Sequence, residues 1–300
     1  MKRVNKLPSL RRRARDGHKG DYGRVLVVAG SRGMIGAAAL AGRAALRGGA
    51  GLVTIATPRS CYPILAAQVT CCMTRPLHET PAGTLSDKAE REIAKLAADA
   101  DALAVGPGFG RHAATTRLVH RLVRTIAKPM VLDADALNAL AEDKSVLRKA
   151  PAPRILTPHP GEMARLLGDG AAADVQKARQ KTAAAFAAGH GVVLLLKGRG
   201  TIVTDGKRLY VNKTGNPGMA TGGAGDVLTG VIAGLLAQGL EPFEAAQLGA
   251  YVHGLAGDLA AAELGEVSLI ATDVLDRLPQ AVQRANGRTP NIKRRTLNVE

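Results

Sequence analysis

A lone carboxylate, Asp226, stands in a run of sixteen residues of little bulk, Gly215-Asn-Pro-Gly-Met-Ala-Thr-Gly-Gly-Ala-Gly-Asp-Val-Leu-Thr-Gly230. Gly222, Gly223 and Gly225 can take positive φ without strain and turn their N–H groups toward an anion. An apolar helical pattern continues from Val227 to Leu240. The loop is thereby placed at a helix N-terminus, where unpaired N–H groups and the helix dipole favour phosphate. A phosphate cradle with one acid at its lip suits phosphoryl transfer to a hydroxyl group.

Other residues could share that chemistry. His159-Pro-Gly-Glu162 sets an imidazole between two prolines and a carboxylate three residues on. Glu162 either caps the following helix or orients a water bound to Mg²⁺, and His159 is either part of that chemistry or a neutral imidazole bonded within the turn. Lys197-Gly-Arg-Gly-Thr201 follows an apolar run, so its lysine either reaches a phosphate or base edge or belongs to a solvated loop. Asp133 and Asp135 flank Ala134. As a pair they could hold Mg²⁺ or a ribose hydroxyl, and one of them could equally cap the helix that begins at Ala136. Gly106-Pro-Gly108-Phe-Gly110 and Gly30, Gly33, Gly36 both miss the G-x-G-x-x-G spacing, no acid follows the second about 20 residues on, and the G-x-x-x-x-G-K-[ST] loop is absent. These departures argue against a conventional NAD-dependent dehydrogenase and a P-loop enzyme.

The elements that position these groups alternate. Apolar runs at Arg24–Ala29, 51–56, Ala102–Val105, Met130–Leu132, Arg154–Leu156 and Val192–Leu196 read as strands covered on both faces. Helical patterns cover 37–47, 86–98, 112–126, 161–167, 227–238 and 242–262, and a hairpin is expected around Asp205-Gly206. The fold class is α/β with a mostly parallel sheet, and Gly- and Pro-rich loops after the strands mark its ligand edge.

Composition narrows the function further. The net charge of +16 is concentrated at the ends, with +7 in residues 1–24 and +4 in residues 281–300. We therefore expect basic flexible segments at 1–18 and 281–300 around one domain, 19–280. This distribution argues against nucleic-acid binding as the main function. Aromatic residues are only 2% of the chain, so the core must be built from Ala, Leu, Val and Ile. Cys61, Cys71 and Cys72 have no C-x-x-C spacing, there is no apolar leader, and no run of 18 apolar residues occurs. A cytoplasmic protein with no membrane span is expected.

Taken in order, His18-Lys-Gly-Asp-Tyr-Gly-Arg-Val-Leu-Val27, Gly49-Ala-Gly-Leu-Val53, Gly106-Pro-Gly108, Leu132-Asp-Ala-Asp-Ala-Leu137, Leu156-Thr-Pro-His-Pro-Gly-Glu162, Lys197-Gly198 and Asn216–Asp226 resemble the ADP-dependent NAD(P)H-hydrate dehydratase family of the ribokinase-like superfamily. The resemblance runs from about His18 to Asp273. It implies a ribokinase-like fold, and repair of NADH or NADPH hydrated at ring carbon 6, with ADP as phosphoryl donor and Mg²⁺ bridging the phosphates. Asp226 would be the catalytic base. Ala37, Gly106, Gly108, His159, Pro160, Gly161, Glu162, Met163, Ala164 and Arg165 would face the hydrate together with Asp226. Lys197, Gly198, Arg199, Gly200 and Thr201, with Asn216, Pro217, Gly218, Met219, Ala220, Thr221, Gly222, Gly223, Ala224 and Gly225, would line the nucleotide site, and Glu162 would help place Mg²⁺ through water. The place of Asp226 at a helix N-terminus would keep it ionised.

The resemblance also implies a homo-oligomer, often a tetramer. Many bacterial relatives carry an epimerase domain ahead of this one. With some twenty residues before the first strand, the epimerase is expected to be a separate partner. A kinase for a vitamin or sugar alcohol on the same fold is the alternative. Ribokinase-type sequences place Asn where His159 stands, which favours the dehydratase branch. Ala224 replaces the Thr or Met common in relatives, with little consequence where only a backbone N–H is needed.

Overall fold

The structure is a computed structural model, and it describes residues 1–10, 12–168 and 172–287. Its ten strands are β1 (Lys2–Arg3), β2 (Arg24–Val28), β3 (Leu52–Pro58), β4 (Met73–Leu77), β5 (Ala102–Val105), β6 (Met130–Leu132), β7 (Arg154–Leu156), β8 (Val193–Leu196), β9 (Ile202–Thr204) and β10 (Arg208–Val211). They form one sheet in the order β1-β10-β9-β8-β7-β6-β5-β2-β3-β4. Only β9 runs against its neighbours. The helices are α1 (Ile35–Arg47), α2 (Tyr62–Gln68), α3 (Glu90–Ala98), α4 (Ala113–Thr125), α5 (Asp135–Glu142), α6 (Pro160–Leu167), α7 (Ala172–Lys177), α8 (Arg179–His190), α9 (Ala224–Ala237), α10 (Pro242–Leu264) and α11 (Ala271–Ala285).

The strands are apolar on both faces because both faces are covered. Val25, Val27 and Ala29 turn into a core shared with α1, α9, α10 and α11. Leu26 and Val28 turn into a second core with α3, α4, α5 and α8. The period-2 alternation thus feeds two cores at once, as a parallel sheet between helical layers requires. Scarce aromatics are offset by close backbone approach. A side chain at Gly230 or Gly234 of α9 would run into the backbone of Ala41 or Ala45 in α1, so small residues seat α9 tightly against the body.

Strand order reverses between β2 and β5, and there the loops after the two strands meet, Gly30 N–H donating to the Pro107 carbonyl at 2.8 Å. Such a switch point opens a crevice at the carboxyl ends of the strands.

Several expectations need correction. The basic N-terminal segment is laid against the body instead of running free. Lys2 and Arg3 pair with Arg208 and Leu209, Val4, Leu7 and Leu10 pack on the first core, and the buried Gln247 donates to the Lys6 carbonyl. The apolar residues between the charges hold it there. Residues 281–285, expected in a flexible tail, are the last turn of α11, and 288–300 lie outside the described residues. Helix α1 begins at Ile35, two residues before the expected start at 37, and so takes in Gly36. The elements β1, α2, β4, α7, α8 and α11 were not foreseen.

Arg154, in the central strand β7, is 1% exposed. Its guanidinium donates to the carbonyls of Lys128, Ala152 and Pro153 through one nitrogen and of Val123 and Ile126 through the other, at 2.7–3.2 Å. Burial lowers its pKa to about 10. Arg154→Met is expected to lower stability by about 3 kcal/mol, because the carbonyls of Val123, Ile126, Lys128 and Ala152 lose their donor. Urea unfolding of the variant should show that loss with an unchanged m-value.

Candidate active site

The site assembles at the carboxyl ends of β5 to β8. Helix α9 begins at Ala224, three residues earlier than its apolar pattern suggests, with Gly223 as N-cap at φ 90°. Its first intrahelical bond runs from Val227 N–H to the Gly223 carbonyl. Asp226 is therefore the third helical residue, and the N–H groups of Ala224, Gly225 and Asp226 precede any intrahelical partner. Nothing lies within 4 Å of where a side chain on Gly222 would sit, so the cradle opens to space there.

Beneath the cradle lies a charge cluster. Asp133, at the end of β6, is 1% exposed. It accepts from Lys197 Nζ at 2.8 Å on one oxygen and from Thr229 Oγ1 at 2.7 Å on the other. Lys197, at the end of β8, also lies 3.7 Å from Glu162 Oε2. A side chain on Gly225 would sit 3.4 Å from Lys197 Nζ and 3.6 Å from Asp133 Oδ2, in van der Waals contact, so the first turn of α9 lies directly over this pair.

The cluster sets each ionisation. Burial opposes the charge on Asp133, but Lys197 and its hydrogen bonds hold the carboxyl below its usual range. Burial opposes the charge on Lys197 as well, and Asp133 and Glu162 override it and raise that pKa. Asp226 has no such direct bond. Burial, then the charge of Asp133, push its pKa up to about 7. This corrects the expectation that a helix N-terminus keeps Asp226 simply ionised. A carboxyl poised near neutrality is the better general base, since it binds the proton it must accept.

Asp133 and Asp135 are not a pair. Ala134, at φ 50°, is the only described non-glycine residue with positive φ, and it turns the two carboxylates apart. Asp135 accepts instead from Gly110 N–H at 2.8 Å and from the Asn138 amide at 3.0 Å. His159 caps α6. Its Nδ1 accepts from the N–H groups of Gly161 and Glu162, while Glu162 Oε2 accepts from His159 N–H at 2.8 Å. Nδ1 is thus unprotonated, and burial with the nearby Lys197 charge lowers the imidazole pKa. The ring is half-exposed, with Nε2 3.5 Å from Glu162 Oε1. Burial raises the Glu162 pKa against the pull of Lys197. Of the two roles open to Glu162, the geometry displays the cap.

The other expected residues divide. Gly108 approaches α1 so closely that a side chain on it would sit 3.1 Å from the Ala37 Cβ, which brings Ala37, Gly106 and Gly108 together at the switch point. Pro160 and Gly161 open α6, and Arg165 donates to the Asn138 carbonyl oxygen at 2.9 Å. Met163 and Ala164, expected to face a ligand, are buried in the second core, because the helical period turns them inward. Asn216 caps the short turn Pro217–Met219 and binds Asp258, whose other oxygen accepts from Gly215 N–H. Ala220 and Thr221 link this turn to Gly222 and Gly223. Thr201 Oγ1 donates to the Gly198 carbonyl, and Arg199 and Gly200 complete that loop.

Four residues of the site's support escaped notice in the sequence. Thr229 holds Asp133. His253 Nε2, partly buried and with a pKa lowered to about 4 by burial, donates to the Ala224 carbonyl at 2.9 Å and fixes the first turn of α9. Asp258 ties down the loop before the cradle. Arg179 donates to the carbonyls of Leu196, Lys197 and Arg199, clasping the loop that carries Lys197. A carboxylate or histidine at a helical spacing from apolar residues gives no signal of what its helix packs against, and only the Thr229 hydroxyl, three residues after Asp226, sat near a motif.

The family model described as NAD(P)H-hydrate dehydratase matches residues 25–280. The bifunctional NAD(P)H-hydrate repair enzyme of Moorella thermoacetica is 54% identical over 276 residues, which are 91% of this chain and 52% of that protein. The chain thus spans about half the length of the curated relatives it matches. Among solved structures, the ADP/ATP-dependent NAD(P)H-hydrate dehydratase of Bacillus subtilis, co-crystallised with ATP/Mg²⁺, superposes with a TM-score of 0.78 at 32% identity, covering 92% of this chain and 95% of that one. A ribokinase-like superfamily protein of Enterococcus faecalis superposes with a TM-score of 0.77 at 26% identity, covering 92% of each chain.

Proposed function

The chain belongs to the NAD(P)H-hydrate dehydratase family, and from that premise we propose that it restores hydrated NADH or NADPH by loss of water, driven by a nucleotide phosphate. Hydroxide is a poor leaving group and phosphate a good one. Asp226 takes the proton of the ring hydroxyl as its oxygen attacks the β-phosphorus of ADP, and AMP leaves. The ring nitrogen's lone pair then expels phosphate, and loss of a proton from the neighbouring carbon completes the double bond. The N–H groups of Gly222–Gly225 stabilise charge on the transferred phosphoryl group. Lys197–Thr201 and Asn216–Gly225 hold the nucleotide. His159 to Glu162 and Arg165, with Ala37, Gly106 and Gly108, hold the hydrate.

The observation that carries this reading is a carboxyl poised near neutrality, Asp226, in the first turn of a helix whose leading N–H groups lack intrahelical partners. Mg²⁺ fits the site in one way only. Among the described residues no three His, Cys, Asp or Glu side chains converge as metal ligands, and the oxygens of Asp133 are already engaged. The cation would rest on phosphate oxygens and water, with Glu162 acting through water, and would supply charge neutralisation there.

Incubation of the protein with hydrated NADH and either ADP or ATP tests the proposal. Recovery of the reduced-nicotinamide absorbance is expected, with ADP the better donor. A stable phosphate ester on a vitamin or sugar alcohol, with no recovery, would establish the kinase alternative. The pH profile is a second test. Asp226 must be ionised to accept a proton, so kcat/KM should fall as pH drops through about 7. A profile flat from pH 6 to pH 8 would remove Asp226 from the base role.

The proposal extends to assembly and setting: a homo-oligomer, a tetramer, paired in function with an epimerase in the cytoplasm. No helix among the described residues is long and apolar enough to cross a membrane. Light scattering after size exclusion measures the first of these.

A further inference from the structure

A cavity of about 270 Å³ opens between the starts of α4 and α5 and the middle of α6. Gly110–Ala113, Asp135, Asn138 and Arg165 line it. Each of these elements continues one from the reaction centre. Gly110 is two residues beyond Gly108, Asp135 two beyond Asp133, and Arg165 three beyond Glu162. We propose that this cavity holds a phosphate group of the dinucleotide substrate, with Arg111 and Arg165 as its ligands, an inference that rests on the hydrate reading above.

Open guanidinium donors on the wall support an anion here. The wall carries two acids beside its two arginines, and those acids already accept hydrogen bonds within it: one Asp135 oxygen from Gly110 N–H and the other from the Asn138 amide, and Glu142 from Thr116 Oγ1. The cations are not so engaged. Among the described residues neither Arg111 nor Arg165 is in an ion pair, and Arg165 spends one nitrogen on the Asn138 carbonyl oxygen, leaving the rest of its fork open. A guanidinium fork recognises phosphate oxygens in pairs.

Topology supports it independently. The Lys197–Thr201 loop follows β8, and the cradle opens α9, which packs across β2, β5 and β6. A dinucleotide whose reduced ring meets Asp226 must send its phosphates away from the donor nucleotide. The strand order places α4 and α5, which follow β5 and β6, away from the Lys197–Thr201 loop that follows β8. Asp135 and Asn138 then act as positioning residues, holding the Gly110 turn and Arg165 in place.

Two phosphates of the substrate share this chemistry, the pyrophosphate and the 2′-phosphate of the NADPH form. Arg111→Ala and Arg165→Ala are compared with the native protein and with Arg91→Ala, an exposed arginine of α3 outside the cavity lining. Calorimetric titration with NADP⁺ and NAD⁺ as probes should show binding weakened by roughly tenfold in both cavity variants and unchanged in Arg91→Ala. Arg111→Lys should restore part of the loss, since the charge returns without the fork. Weakening for NADP⁺ alone assigns the 2′-phosphate, and weakening for both assigns the pyrophosphate. In the hydrate assay KM should rise by the same factor with kcat within about twofold. Native binding of both probes by both cavity variants would overturn the proposal. Absence of hydrate turnover by the native protein would instead count against the hydrate reading, and the titrations would still decide whether the cavity takes a dinucleotide phosphate.

Discussion

Asp226→Asn is expected to lower hydrate turnover by about 10²–10⁴-fold and yet to stabilise the fold at neutral and alkaline pH. The two effects share one cause. Burial and the Asp133 charge raise the Asp226 pKa to about 7. The unfolded value is ~3.9. A group whose folded pKa is raised contributes stability that is complete below the unfolded pKa and is lost as pH rises through the folded one. Above pH 7 the native protein therefore holds an ionised carboxylate that the unfolded chain would solvate better, at a cost of the order of 2–4 kcal/mol. Asparagine keeps the shape and removes the charge, so the cost disappears along with the base. The melting temperature of Asp226→Asn should exceed that of the native protein most at pH 8, with the gap closing toward pH 4. Nucleotide titration should still show binding, because the cradle uses backbone N–H groups. Near-native turnover in this variant would remove Asp226 from the chemistry. A variant less stable than the native protein at pH 8 would mean that the carboxylate is structural and satisfied.

The fold and the reacting groups were legible in the sequence for physical reasons that apply residue by residue. Runs such as Val25–Val28 and Leu194–Leu196 are apolar without alternation because helices cover both faces, so the α/β class could be read directly. The glycines at 222–225 announced a backbone site because few other functions tolerate so little bulk. The charge states were not legible. Asp226 and Lys197 are 29 positions apart in sequence, and nothing local says that Lys197 meets Asp133, or that Asp226 is left without a direct partner. The N-terminal segment was misread because nine Lys and Arg in residues 1–24 mask Val4, Leu7 and Leu10, which hold it to the core. Helix α8 was missed because its Ala-rich sequence, with polar residues on both sides, has almost no apolar stripe. Met163 shows the opposite error: its place in a motif suggested a ligand contact, and the period of α6 gave it to the core.

Lys197→Met is expected to weaken the fold and to raise the pKa of the base, and Asp133→Asn to shift that pKa in the opposite direction. Lys197 bridges Asp133 at 2.8 Å and Glu162 at 3.7 Å, and both carboxylates are buried. Removing the ammonium leaves Asp133 buried with only hydroxyl and backbone neighbours, which typically costs about 3–5 kcal/mol. It also removes the one cation among the leading influences on Asp226, whose pKa then rises further above 7. The acid limb of kcat/KM should therefore move to higher pH in Lys197→Met. In Asp133→Asn the charge that helps to raise Asp226 is gone while Lys197 stays, so the limb should move below 7. The double variant removes both charges. It should recover much of the stability lost in Lys197→Met, because no uncompensated pair member remains, without recovering turnover, since the ammonium that faces the cradle is still missing. A purely structural ion pair would show the same recovery of stability in the double variant but no opposed movement of the pH limb in the single ones. The two limbs moving apart is thus the result that separates a tuned base from a braced loop.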